Sequence, residues 1–287
     1  QILGNTFPQN GVGIASNEGP GDDGEYDDEH SDNIRADLLG YGYLHVDQFY
    51  QPNATATQVT NALHAGRGII NYTGHGSTTA WSTTGFSNNH VNALQNHDLL
   101  PFIISVACNN GTFTGTCFAE AWLRATDGGV PTGAVATYMS YISQSWAPPM
   151  CGQDEVADLL VQDEKRSIGG LFFNGSCQMM DEYGSQGINE FLNWTIFGDP
   201  SVSVRTKAAG AMAASHTGVL LIGMNEYVIE TGTPGALCAL YADGVIYGTT
   251  IADGAGQAVI AMDAPPLEPM DLTLTVTAYN MCTVHLL

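Results

Sequence analysis

A thiol and an imidazole stand at matching places in two segments of this chain. In Gly68–Trp81 (GIINYTGHGSTTAW), Ile69, Ile70 and Tyr72 form an apolar run that breaks at Gly74-His75-Gly76. In Leu99–Phe113 (LLPFIISVACNNGTF), Phe102, Ile103, Ile104 and Val106 form a second run that breaks at Ala107-Cys108. Continuous apolar runs of about 4–8 residues closed by a turn predict buried parallel strands. Sites in open parallel sheets gather at the carboxyl ends of strands, so His75 and Cys108 are expected side by side at neighbouring tips. A cysteine nucleophile must be ionised, and an adjacent imidazolium lowers its pKa from about 8.5 by several units. The pair therefore reads as a nucleophile and its base. Gly74, Gly76 and Ala107 are small enough to let a scissile carbonyl approach. Taken singly, the histidine reads as a hydrogen-bonded core residue and the cysteine as a buried thiol; together, after two strands, they read as chemistry.

The elements that must carry this pair follow an alternating order. Residues 11–18 (GVGIASNE) predict a short strand ending at Ser16-Asn17-Glu18. Residues 19–33 (GPGDDGEYDDEHSDN) predict a loop, because Gly and Asp crowd it and apolar side chains are almost absent. Residues 30–39 predict a helix with Ile34, Leu38 and Leu39 on one face, 44–50 a strand, and 57–64 a helix capped by Thr57. Residues 87–97 predict a short capped helix, 117–125 a helix with Phe118, Ala121 and Trp122 inward, and 133–141 a strand. Residues 143–155 (SQSWAPPMCGQDE) predict a Pro-broken loop with Trp146 and Met150 exposed, followed by a helix over 156–162. Strand–helix alternation over residues 1–205 predicts an α/β unit with a largely parallel sheet. From about 206 the pattern changes to short alternating runs (219–222, 227–229, 236–241, 245–251, 258–262, 272–278) separated by turns such as Asp243-Gly244. Residues 206–287 therefore predict an antiparallel β-sandwich.

Composition narrows the function classes. The chain carries a net charge of −22 with seven Lys and Arg, which excludes nucleic acid and anionic membrane surfaces as partners. No apolar run approaches the 18–20 or so residues that a membrane span needs. The balance suits a secreted or cell-surface protein, a salty habitat or a cation-binding one. Seven carboxylates (Asp22, Asp23, Glu25, Asp27, Asp28, Glu29 and Asp32) lie in the 19–33 stretch. They repel one another unless water or a cation intervenes, so the loop is either solvated or a holder of structural Ca²⁺, which takes six to eight oxygens. It does not match the EF-hand pattern, and the metal ligands stay unassigned. His30, His45, His64, His90 and His97 show no metal-ligand spacing and read as surface or core. The six cysteines (108, 117, 151, 177, 238 and 282) contain no CxxC pair. Cys238 and Cys282 could bridge two strands of the last segment.

The motifs, taken together, resemble the gingipain cysteine peptidases of the caspase-like clan, and among them the arginine-directed members. NYTGHGSTTAW (Asn71–Trp81) is similar to the stretch around that family's catalytic histidine, and LPFIISVACNNGTF followed by CFAEAWLRA to the segment bearing its cysteine. IASNEGPGDDGEYDDEH, QSWAPPMCGQDE and FGDPS resemble further family stretches in the same order. The resemblance implies a caspase-like three-layer α/β domain followed by an immunoglobulin-like β-sandwich. It implies Cys108 as nucleophile, His75 as general base, and the backbone N–H groups of Gly76 and Cys108 as the oxyanion hole. It places Glu18 as the acid that orients the histidine. It places Asp27 at the base of the S1 pocket, where a carboxylate selects a guanidinium, with Trp146 and Met150 as the pocket walls. The family's catalytic unit carries a further subdomain ahead of the Gly11 stretch, so that part is expected to be missing or on another chain. Cys151 stands in the pocket stretch where a polar or basic residue is expected.

The expected activity is a secreted cysteine endopeptidase acting on proteins or peptides, after Arg, through an acyl-enzyme that needs no cofactor for its chemistry. Two rivals share the sequence. One is an inactive fragment or relic serving in assembly or adhesion; the other is a transpeptidase, in which an amine captures the acyl-enzyme.

Overall fold

The computed structural model describes residues 3–287, which divide into two compact units. Thr6–Lys207 forms one; Ala208–Leu287, together with residues 3–5, forms the other.

The first unit is built on a six-stranded sheet: β1 Asn10–Ala15, β2 His45–Tyr50, β3 Ile69–Thr73, β4 Phe102–Val106, β5 Ala136–Ser140 and β6 Trp194–Phe197. Their order is β6-β5-β4-β3-β1-β2, parallel throughout except for β6, which runs antiparallel to β5. Every residue of β3, β4 and β5 is buried, the burial expected of strands covered on both faces. The alternation of the strand pleat sorts their side chains into two cores. Ile70, Tyr72 and Ile103 pack with Leu63 of α2 (Ala56–Ala65), Val91 of α3 (Asn88–Val91) and Trp122 of α4 (Phe118–Arg124). Ile69, Phe102 and Ile104 pack with α1 (Asp27–Tyr41), α5 (Ala147–Val161) and α6 (Ile168–Tyr183). α7 (Ser185–Asn193) precedes β6. Because β1, β3, β4 and β5 are parallel, their carboxyl ends share one edge. In the ladder Ala15 pairs with Thr73 and Thr73 with Val106, so the residues that follow these strands emerge abreast.

Three local expectations are corrected. Residues 19–33 are not a loop to their end: α1 starts at Asp27, with Asp27, Asp28 and Glu29 in its first turn, where carboxylates complement the exposed N–H groups of a helix start. Residues 143–155 are not a broken loop: α5 begins at Ala147, and Pro148 and Pro149 sit in its first turn, where a missing N–H costs no helical hydrogen bond. The expected 87–97 helix is a single turn over Asn88–Val91.

The second unit contains two antiparallel sheets. One is β7 (Ser215–His216), β8 (Glu226–Glu230) and β11 (Gln257–Ala261), in the order β7-β8-β11. The other is β9 (Leu237–Ala242), β10 (Val245–Ile251), β12 (Thr273–Thr277) and β13 (Val284–Leu286), in the order β10-β9-β12-β13. Ile229, Ile260, Leu240 and Val276 from the two sheets meet in one core. The expected strand at Val219–Ile222 is irregular and exposed, since its apolar side chains do not alternate with polar ones. All six cysteines are free thiols, so Cys238 and Cys282 do not bridge; Cys238 is instead a buried apolar side chain in the core of this unit.

Candidate active site

His75 and Cys108 follow the adjacent strands β3 and β4 directly, and the first turn of backbone beyond each strand is tied to the other. Gly74 N–H donates to the Val106 carbonyl at 3.1 Å. A Cβ on Gly76 would stand 2.8 Å from Ala107 Cβ and 2.9 Å from the Cys108 carbonyl oxygen, so only glycine allows this approach. The same two turns are laced from below. Trp81 Nε1–H donates to Ser105 Oγ (2.8 Å), Ser105 Oγ–H to Asn110 Oδ1 (2.8 Å), and Asn110 Nδ2–H to the Ser77 carbonyl (2.7 Å). Asn109, next to the cysteine, takes φ +62°, a left-handed conformation that Asn tolerates better than most residues.

The histidine is fixed through its backbone while its ring stays accessible. Its carbonyl accepts from the Tyr72 hydroxyl at 2.5 Å and from Ser82 N–H at 2.9 Å. Burial pushes the Tyr72 phenol up to about 12, which keeps it a donor. The His75 side chain is 57% exposed, and its Nε2 lies 3.4 Å from Glu18 Oε1, at the end of the segment that follows β1. Nδ1 is thereby the ring nitrogen left for a thiol. Cys108 is half-buried, with Sγ 3.9 Å from the Gln144 carbonyl.

A buried carboxylate stands behind this group. Asp27, the first residue of α1, is fully buried; one oxygen accepts from Trp146 Nε1–H at 2.8 Å and the other from the Ser16 hydroxyl. Burial raises its pKa above the usual carboxylate range, partly offset by the Ser16 and Trp146 hydrogen bonds. Trp146 is half-buried and meets the His75 ring edge-on, with centroids 5.2 Å apart. Glu18, His75, Gly76, Cys108, Asp27 and Trp146 are thus linked on one edge of the sheet. Met150 departs from expectation. It is fully buried in the core as part of α5, although its sulfur lies where a Cβ on Gly21 would come to 2.2 Å. Its spacing places it one turn after Trp146 on the inner face of the helix, which the expectation of a loop hid. Cys151 is likewise buried in α5, where its Sγ–H faces Glu182 Oε2 at 3.5 Å.

Two ligand-type clusters lie in the same unit. His30, read from the sequence as an ordinary surface or core residue, is fully buried, and its Nδ1 lies 3.3 Å from Glu25 Oε2 and 3.4 Å from Asp154 Oδ2. Its Nε2 faces Gln153 Oε1 at 3.1 Å. Burial alone would lower the His30 pKa, but Glu25 and Asp154 raise it, and the His30 contact lowers Glu25 in return. Burial pushes Asp154 up to about 7. One imidazole nitrogen and two carboxylates, with the other ring nitrogen engaged, is a donor set suited to a zinc-type ion. Asp22, Asp23 and Glu182 offer only oxygens, which suits calcium. The signal missed in the sequence was the pairing of His30 with Asp154, 124 positions away and brought in by α5.

Comparison with known proteins places this geometry. The model of peptidase family C25 matches residues 8–205, which hold every residue of the site. The chain belongs to peptidase family C25. It is 40% identical over 279 residues to Gingipain R2 of Porphyromonas gingivalis, covering 94% of this chain and 38% of that protein. It is 24% identical over 271 residues to Lys-gingipain of the same organism, covering 85% of this chain and 15% of that protein. The crystal structure of the Arg-specific cysteine proteinase gingipain R superposes with a TM-score of 0.94 at 39% identity, covering 98% of this chain and 66% of that one. A complex of the pro- and mature domains of RgpB from P. gingivalis superposes with a TM-score of 0.93 at 38% identity. This C25 chain therefore spans well under half the length of the gingipains it matches in sequence.

Proposed function

We propose that the protein is a cysteine endopeptidase that cleaves after arginine. The observation that carries this reading is the convergence, on one sheet edge, of a thiol and an imidazole on adjacent strands with a buried carboxylate behind them. In the proposed cycle the Cys108 thiolate attacks the scissile carbonyl, and the developing oxyanion lies toward the Gly76 and Cys108 backbone. His75, held by Glu18 through Nε2, gives its proton to the leaving amine as the C–N bond breaks. It then takes a proton from the water that hydrolyses the thioester. Asp27 receives the substrate guanidinium at the pocket base, with the Trp146 indole as a wall. Met150 supports that wall from the core side. The relic reading is not favoured, since the matching family is a peptidase family and the superposed gingipain R is a cysteine proteinase.

The same reading takes the fold as caspase-like, with residues 1–205 as the peptidase domain and 206–287 as an immunoglobulin-like sandwich. Its substrates are proteins or peptides, and its partners include the preceding subdomain or other chains of one precursor. It acts outside the cell; among the described residues no helix is long and apolar enough to cross a membrane. In this reading Asp22, Asp23 and Glu182 would hold a structural calcium ion that takes no part in the chemistry. The test is a cleavage-site profile of the full-length protein on a peptide library. Arginine dominating the position before the cut is the expected result; cuts without a basic residue there, or no cuts at all, would overturn it.

A further inference from the structure

Residues 143–146, between β5 and α5, form a strap across the candidate site. Ser143 Oγ accepts from Asn109 Nδ2–H at 3.2 Å, beside the cysteine. The Gln144 carbonyl faces Cys108 Sγ at 3.9 Å. Trp146 donates to Asp27 and abuts the His75 ring. Ser145 is held from elsewhere: its backbone N–H and its hydroxyl both donate to Oε1 of Glu190, at 3.0 and 2.7 Å.

Glu190 belongs to α7 and is 2% exposed. Its second oxygen, Oε2, is buried with no hydrogen-bond partner among the described residues. A buried carboxylate with half its acceptor capacity unused costs folding free energy, and such costs concentrate where function requires a fixed geometry. One charged oxygen that takes both donors of a single residue fixes that residue's backbone and its side-chain rotamer together.

We infer that Glu190 is a positioning residue that clamps the 143–146 strap. Through Ser145 it sets the carbonyl facing Cys108 on one side and the indole over Asp27 on the other. This assignment rests on the peptidase reading of Cys108 and Asp27. Glu190 touches neither substrate nor reacting atoms, so its effect reaches catalysis only through the strap.

The test compares Glu190→Ala, Glu190→Gln and Ser145→Ala in the full-length protein, with rates expressed per active site titrated by an arginyl chloromethylketone. Glu190→Ala is expected to lower kcat/KM on an arginyl peptide by roughly 10–100-fold, with a raised KM and a changed ratio of arginyl to lysyl turnover. Glu190→Gln keeps the acceptor at Oε1 and is expected to restore kcat/KM to within about threefold. Iodoacetamide alkylation of Cys108, which needs no pocket, is expected to change less than about threefold in either. A Glu190→Ala protein with lower yield or Tm but unchanged kcat/KM and selectivity per titrated site would show a structural role alone and overturn the assignment. If Glu190→Ala does not accumulate, Ser145→Ala decides. It removes the hydroxyl bond and leaves the N–H bond, so a smaller loss with the same selectivity change supports the clamp, and unchanged selectivity overturns it. A wild-type protein that does not turn over arginyl peptides removes the peptidase reading itself, and this assignment with it, before any variant is compared.

Discussion

At the scale of single residues, the electrostatics of Asp27 make the sharpest demand. Its side chain is fully buried, and its pKa is raised by that burial. Between its ordinary value of 3.8 and the raised value, the folded state holds more protons than the unfolded chain. The stability contributed by protonated Asp27 is therefore lost as pH rises through that window. Substrate binding runs the other way, because only ionised Asp27 attracts a guanidinium. KM for an arginyl peptide should fall as pH rises through the raised Asp27 pKa, while KM for a peptide with an uncharged side chain there stays flat; parallel profiles for the two would contradict the assignment. Asp27→Asn should lower kcat/KM on arginyl peptides by roughly 100-fold or more, and alter uncharged ones by only a few-fold. Cys108 and His75 were legible in the sequence because each closes a buried apolar run. Glu190 was not, because its partner Ser145 lies 45 positions away and nothing local marks it. The exposure expected of Met150 fails because Pro148 and Pro149 lie in the first turn of α5 instead of breaking a loop.

At the scale of elements, the site depends on how closely β3 and β4 deliver their tips. The parallel sheet was legible because strand-like runs alternate with helical ones, and β3, β4 and β5 carry enough apolar side chains to be buried on both faces. The lacing beneath the site was not, because Trp81, Ser105 and Asn110 become a hydrogen-bonded chain only once the strands pair. Gly76 tests that delivery. Its missing side chain admits Ala107 and the Cys108 carbonyl, so Gly76→Ala must push the two turns apart by several tenths of an ångström. Turnover should drop about 100-fold with a stability loss of about 1–3 kcal/mol, read from kcat and from urea unfolding. Unchanged turnover would mean that the backbone of Gly76 does not border the reacting carbonyl. In the second unit the strands between 226 and 277 were legible from turn signals and alternation, whereas Ser215–His216 and Val284–Leu286 are too short to signal themselves and Val219–Ile222, an apolar run without alternation, forms no strand.

At the scale of the whole molecule, charge dominates. A net charge of −22 on 287 residues makes self-repulsion a standing cost of the compact state. Tm should rise as sodium chloride is raised from low to physiological strength, since the Debye length then shrinks to about 8 Å; a Tm that falls would show that attractive ion pairs outweigh the repulsion. The membership in peptidase family C25 gives the molecule its lineage, and the geometry at the strand tips gives it a proposed chemistry. The most direct measurement of that chemistry is covalent labelling of the full-length protein by an arginyl chloromethylketone at neutral pH, with the modified residue located by mass spectrometry. One adduct per chain is expected, a thioether formed at Cys108 as chloride leaves, lost on His75→Ala and slowed by competing free arginyl peptide. Labelling at another cysteine, or none in protein shown to be folded, would contradict it.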